Sequence, residues 1–178
     1  MKTQTKQKSE ARIERGITKL IIPHENKYVS FAYPSFSPNT YQIVGKQIIK
    51  NNLQIPTAEQ TASLLYSAYC DDSIKDEPEF ENIRDIMKKR WLWVFNRNLW
   101  IDKGVYVVQD LEAEGRSKSL DINELEKSLK NTEEINGVRF SKDGKVRFAP
   151  KETYKLEYNS PDELSENGFL IASYGKEG

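Results

Sequence analysis

Hydrophobic positions crowd most densely into residues 90–109, RWLWVFNRNLWIDKGVYVVQ, where aromatic and β-branched side chains alternate closely enough to predict the centre of the core. Within it, Asp102-Lys103-Gly104 reads as a three-residue hairpin loop with Gly104 in the left-handed conformation. That loop would set Ile101 against Val105, Trp100 against Tyr106 and Leu99 against Val107. Leu99, Ile101, Val105 and Val107 would then share one face, and Trp100, Tyr106 and Val108 the other. Both faces are largely apolar, as in a strand pair covered on both sides. Upstream, Trp91, Trp93 and Phe95 alternate with Leu92 and Val94, which predicts another buried strand, entering through a connection at Asn96, Arg97 and Asn98.

Elsewhere the pattern changes period. Residues 17–22 and 28–33 read as strands joined by a turn at Pro23, His24, Glu25 and Asn26. Ser37 followed by Pro38 predicts a helix start, with Tyr41, Val44 and Ile48 on the buried stripe and Asn51-Asn52 at the end. Thr57 and Gln60 have capping-box spacing, and Ala58, Ala62, Leu65 and Tyr69 fall on one face of the helix they open. A third helix should begin near Pro78 and turn Phe80, Ile83, Met87 and Trp91 inward. Residues 110–119 lack periodicity and read as a loop. Leu120, Asp121, Glu124 and Leu125 have the spacing of a staple and capping box for a short helix. Residues 137–148 predict a hairpin, 154–158 a strand, 160–163 a capped short helix ended near Gly168, and 169–173 a last strand. Helices thus gather in the first half and hairpin-built strands of an antiparallel or mixed sheet in the second, without regular βα alternation. The expected class is α+β.

Composition narrows the picture. At 178 residues the chain is long enough for one domain over residues 17–178, preceded by a basic tail over residues 1–16. One cysteine leaves no internal disulfide, no apolar run approaches the roughly 18 residues of a membrane span, and residues 1–10 lack the apolar segment of a secretory signal. The expected location is therefore the cytoplasm. The 27 Lys and Arg balance 27 Asp and Glu, which argues against a protein devoted wholly to nucleic acid. No cofactor motif, metal-ligand pattern or phosphate loop is present, and whether the chain is an enzyme is left open.

Candidate chemistry is local and sparse. Cys70 stands at an expected helix C-terminus beside Asp71 and Asp72, where dipole and carboxylates oppose a thiolate. His24 has no second histidine with which to build a zinc site. The acids at 71, 72, 76, 77, 79 and 81 lack the spacing of a calcium loop and suit the first turn of a helix. Trp91, Trp93, Arg97 and Trp100 mix rings and charge as single-strand binders do, but rings alternating with Leu and Val are the mark of a core.

Three groups are binding candidates. Ser37, Asn39 and Thr40 open the one expected helix with no acid of its own in the first turn, which leaves its N–H groups for an anion. Asn96, Arg97 and Asn98 form a polar connection at the core's edge. The third group is the hairpin VRFSKDGKVRF, where a three-residue loop over Lys142-Asp143-Gly144 sets Arg139 opposite Arg147 and Phe140 opposite Val146. A two-residue loop would instead set Phe140 opposite Arg147 and Arg139 opposite Phe148, mixing charge and hydrophobe on each face, so the three-residue loop is expected. Facing arginines, with Lys142, Lys145 and Lys151 nearby, call for an anion: Glu134 or Glu152 of the chain itself, or a partner's phosphate. The expected function is binding of a phosphate-bearing or polyanionic partner. The competing expectations are a small-molecule enzyme with an Asp, Glu, Tyr or Lys site assembled by the fold, and an assembly subunit covered by another chain.

Overall fold

In the computed structural model, which describes residues 12–14, 19–90, 92–130, 132–157 and 160–175, helices predominate in the first half and a five-stranded antiparallel sheet fills the second, as α+β. Most of the expected basic tail, Trp91 and the strand ends at Ile17 and Tyr158 lie outside the described residues. Among those described, no helix is long and apolar enough to cross a membrane. The described residues form two compact units, one drawn from those up to residue 35 with those of 63–92, the other from residues 36–62 with those from 93 onward.

The first unit contains a three-stranded antiparallel sheet of β1 (Arg12–Glu14), β2 (Lys19–His24) and β3 (Lys27–Ala32), in that order. The β2–β3 turn is tighter than the sequence suggests. His24 pairs with Lys27, leaving only Glu25 and Asn26 in the loop, with Glu25 at φ 53°. Alternation along β2 sends Leu20 and Ile22 into a core with Leu64 and Ala68 of α2 (Ala58–Cys70), Ile74, and Phe80 and Ile83 of α3 (Pro78–Lys89). Arg84 reaches from α3 to donate to the carbonyls of Ala68 and Lys75, answering an orphan acceptor at the end of α2. The Thr57–Gln60 capping box is formed. The buried stripe of α2 is rotated from the expected one and runs through Ala58, Thr61, Leu64 and Ala68, while Tyr69 is exposed. Thr61 tolerates burial because its hydroxyl donates to the Thr57 carbonyl at 3.0 Å. On α3, Phe80 and Ile83 point inward as expected, but Met87 is exposed.

In the second unit α1 (Tyr41–Lys50) packs Ile48, with Tyr41 and Val44, against Ile55, Phe95 and Ala113. The sheet has the order β4-β5-β8-β7-β6, from β4 (Asn96–Ile101), β5 (Gly104–Gln109), β6 (Glu133–Ile135), β7 (Val138–Phe140) and β8 (Val146–Pro150). Leu125 of α4 (Ile122–Ser128) and Leu129 cover one face, on Tyr106 and Phe148. The other face packs Val105, Val107, Val138, Phe140 and Ala149 against Ile171 and Ala172 of α6 (Gly168–Tyr174). Between them α5 (Pro161–Ser165) carries the expected capping box on Ser160.

The structure overturns four local expectations here. Residues 92–95 are irregular rather than a strand, with Phe95 buried and Trp93 exposed. Residues 154–157 are also irregular. The apolar run 169–173 is helical, because Asn167 caps it by accepting from the N–H groups of Phe169 and Leu170, and a short apolar run by itself does not distinguish strand from buried helix. Finally, the β4–β5 loop is two residues, so Ile101 pairs with Gly104, Trp100 with Val105 and Leu99 with Tyr106. Val105 and Val107 therefore face α6, whereas Leu99, Ile101 and Tyr106 face α4.

Gly104 explains that register. It enters the ladder at φ 151°, and a Cβ there would stand 2.2 Å from the Ala149 carbonyl oxygen and 2.9 Å from the Phe148 ring. Only glycine lets β8 approach so closely. Gly104→Ala is expected to cost at least about 1–3 kcal/mol from the backbone alone, read as a lower urea midpoint. An unchanged midpoint would show that the close approach to β8 is not obligatory.

Candidate binding groove

The central strand β8 sets the site. Its neighbours are β5, through Tyr106 opposite Phe148 and Val107 opposite Arg147, and β7, through Phe140 opposite Arg147 and Arg139 opposite Phe148. This is the mixed-face register, not the one with facing arginines. The loop spans residues 142–145, with a turn from the Gly144 N–H to the Ser141 carbonyl at 2.8 Å and a closing bond from the Ser141 N–H to the Val146 carbonyl at 2.8 Å. The Ser141 hydroxyl, donating to Asp143 at 2.8 Å and accepting from the Val146 N–H at 2.9 Å, holds the wider loop in shape. Arg139 and Arg147 thus lie on opposite faces, each beside a ring: Arg139 is 4.7 Å from the Phe148 ring centre and Arg147 5.3 Å from that of Phe140.

Each arginine also has its own carboxylate, neither being the Glu134 or Glu152 expected. Arg147 is buried, and its guanidinium donates to Glu59, to the Ala172 carbonyl at 3.1 Å and to the Gly144 carbonyl at 3.0 Å. It is a core residue and cannot meet a partner. Arg139 grips Glu126 of α4 through both terminal nitrogens, at 3.1 and 3.3 Å, and remains a third exposed. Glu134 lies directly opposite Arg139 on β6.

Arg139 borders an open surface groove. Ile101, Tyr106, Phe148 and Pro150 supply its apolar wall, and Asp102, Lys103, Lys151 and Glu152 its charged rim. Lys103 sits in the β4–β5 turn and Lys151 just past β8. A bond from the Lys151 N–H to the Lys103 carbonyl at 2.9 Å holds their backbones side by side. Among the described residues, none of the four rim charges takes part in an ion pair within 4.0 Å.

At the groove's inner end Tyr106 donates its hydroxyl to Glu126. Hydrogen bonds from Arg139, then from Tyr106, hold the Glu126 carboxyl below its usual range, and the charge of Lys103 adds to the effect. Burial, reinforced by the bond to Glu126, pushes the Tyr106 phenol up to about 12. Glu126 is thus an anion at neutral pH, fixing both its donors.

The remaining candidates do not converge on this groove. Lys142 and Lys145 are exposed in the 142–145 loop, Lys145 pairing loosely with Asp143 at 3.9 Å. Helix α1 starts three residues later than Pro38 implies: Thr40 is its N-cap, Ser37 does not cap it, and the Asn39 side chain accepts from the Thr40 N–H at 2.9 Å. The Asn39 carbonyl accepts from the Trp93 indole at 2.9 Å. Asn96, Arg97 and Asn98 are not a connection but the first half of edge strand β4. Asn96 donates to the Ser173 carbonyl at 3.0 Å, Arg97 pairs with Glu114 at 3.5 Å, and Asn98 is exposed. Trp100 packs on Phe169 and Tyr154. Cys70 is exposed, His24 bonds to Ser63 at 3.0 Å, and no cluster of potential metal ligands occurs among the described residues.

Tyr106, Glu126 and Lys103 were not singled out from the sequence. One signal was present: Asn136-Gly137, at φ 48° and 79°, is the preferred two-residue hairpin turn, and it pins β6 to β7. Comparison with protein-family models, with curated proteins and with solved structures finds no match for this chain.

Two outcomes follow from these networks. Arg147→Ala leaves Glu59 facing the core without its guanidinium and is expected to cost about 3–5 kcal/mol, seen in urea unfolding; a loss under about 1 kcal/mol would mean the pair is effectively solvated. The Tyr106 phenol, raised above its ordinary value of about 10, contributes stability that is complete below pH ~10 and is lost as pH rises through about 12. Removing the phenol in Tyr106→Phe should flatten that alkaline loss, followed by circular dichroism. An unchanged alkaline profile would contradict the assignment.

Proposed function

We propose that this chain acts by binding, and that its ligand is a small phosphate-bearing molecule held in the groove between Lys103, Arg139 and Lys151. The observation that carries the reading is two cations in no ion pair among the described residues, Lys103 and Lys151, on adjacent backbone beside a guanidinium already fixed in direction. Glu126 uses one edge of Arg139, and a guanidinium has five N–H donors in a rigid fork, so capacity remains for phosphate oxygens. Fixing Arg139 in advance, by Glu126 and the Phe148 ring, lowers the entropy lost on binding.

The same rim disfavours an extended polyanion. Asp102, Glu126 and Glu152 stand among the three cations, and Arg147 is withdrawn into the core. A long run of phosphates would meet as much repulsion as attraction, whereas one phosphate group can sit between the lysines.

Calorimetric titration with inorganic phosphate and pyrophosphate tests the reading. Saturable binding to the wild type is expected, weakened at least about tenfold by the Lys103→Ala, Lys151→Ala double substitution with an unchanged unfolding midpoint. Absence of saturable binding to the wild type, or equal affinity in the double variant, would overturn it.

A further inference from the structure

We infer that the phosphate-bearing ligand is a phosphorylated sugar or polyol rather than a nucleotide, an inference that rests on the groove being a phosphate site. Once the cations are assigned to phosphate, the rim still holds Asp102 and Glu152, each adjacent in sequence to one of the lysines. Glu126 is occupied by Arg139 and Tyr106. Asp102 and Glu152 are in no ion pair among the described residues. Carboxylates accept hydrogen bonds and, when ionised, donate none. A ligand that brings only phosphate to this rim leaves them repelled and unused, whereas a body carrying several hydroxyl donors engages them.

The groove wall favours the same class of ligand. Ile101 and Pro150 give the wall aliphatic surface against which the C–H groups of a polyol can pack. A base would need a free aromatic face. The two rings that border the groove are already engaged with each other, Tyr106 and Phe148 lying 4.6 Å apart between centres, and Phe148 also carries the Arg139 guanidinium at 4.7 Å. Tyr106 is almost fully buried. No ring of the groove is left to stack on a base, which removes the usual platform for nucleotide recognition.

Titration of the full chain with inorganic phosphate, glucose phosphate, glucose and adenosine monophosphate decides the class. Glucose phosphate is expected to bind at least about tenfold more tightly than inorganic phosphate, because its hydroxyls can donate charge-assisted hydrogen bonds to the exposed carboxylates of Asp102 and Glu152. Asp102→Asn, Glu152→Gln should erase that preference. Equal affinity of the wild type for glucose phosphate and inorganic phosphate would overturn the inference while leaving the phosphate reading standing. Tighter binding of adenosine monophosphate than of glucose phosphate would overturn it as well. Failure of every phosphate compound to bind would remove both the phosphate reading and this inference.

Discussion

The second unit depends on where β8 sends two consecutive side chains. Arg147 and Phe148 must point to opposite faces of the sheet, and β8 is its middle strand, so the choice propagates to β5 on one side and β7 on the other. The register that exists puts the guanidinium under α6 and the ring under α4. A slip by one residue would carry Arg147 away from Glu59 and the Ala172 carbonyl and bury a charge with nothing to answer it, a penalty of several kcal/mol. Gly104 acts in the same direction from the neighbouring strand, since a side chain there would collide with the Ala149 carbonyl.

Both faces of this sheet are covered, which is why they tolerate charge and hydrophobe side by side. Separation of polar and apolar faces is required where a whole face meets water; here α6 covers one face, and on the other α4 covers Phe148 and leaves Arg139 only partly exposed. Each arginine instead lies against the ring opposite it, a contact of roughly 0.5–2 kcal/mol depending on desolvation, and closes on a carboxylate from a helix. The pattern rule that favours segregated faces therefore points to the wrong loop in VRFSKDGKVRF. The rule is sound, but its premise of a solvated face fails here.

That failure marks the boundary of what was legible. Signals that act within a few residues came through: the Thr57–Gln60 box, Asp121 and Ser160 as caps, Pro78 at a helix start, the existence but not the register of the hairpin at 137–148, and the α+β class. The last apolar run is ambiguous because Phe169 to Ser173 is too short to show a period, and the sequence shows no sign that Asn167 caps a second helix rather than ending the first. Of the candidate site, Arg139 was visible, but its orientation was not. Lys103 and Lys151 meet only because β5 pairs with β8 across some forty residues of chain, and a contact of that kind leaves no trace in local composition.

The charges of the unit divide into two kinds with different physical consequences. Arg147 and Glu59 are committed to each other in the interior, where removing one partner is expensive, so they specify the fold and are closed to ligands. Lys103, Lys151, Asp102 and Glu152 are exposed and remain hydrated, so their removal changes folding little. Arg139 stands between these classes: it is bound to Glu126 and also lines the groove. A site built this way takes its rigidity from the fold through one arginine and its ligand charge from residues the fold does not need. The rim can therefore be altered without disturbing the β8 register that positions it.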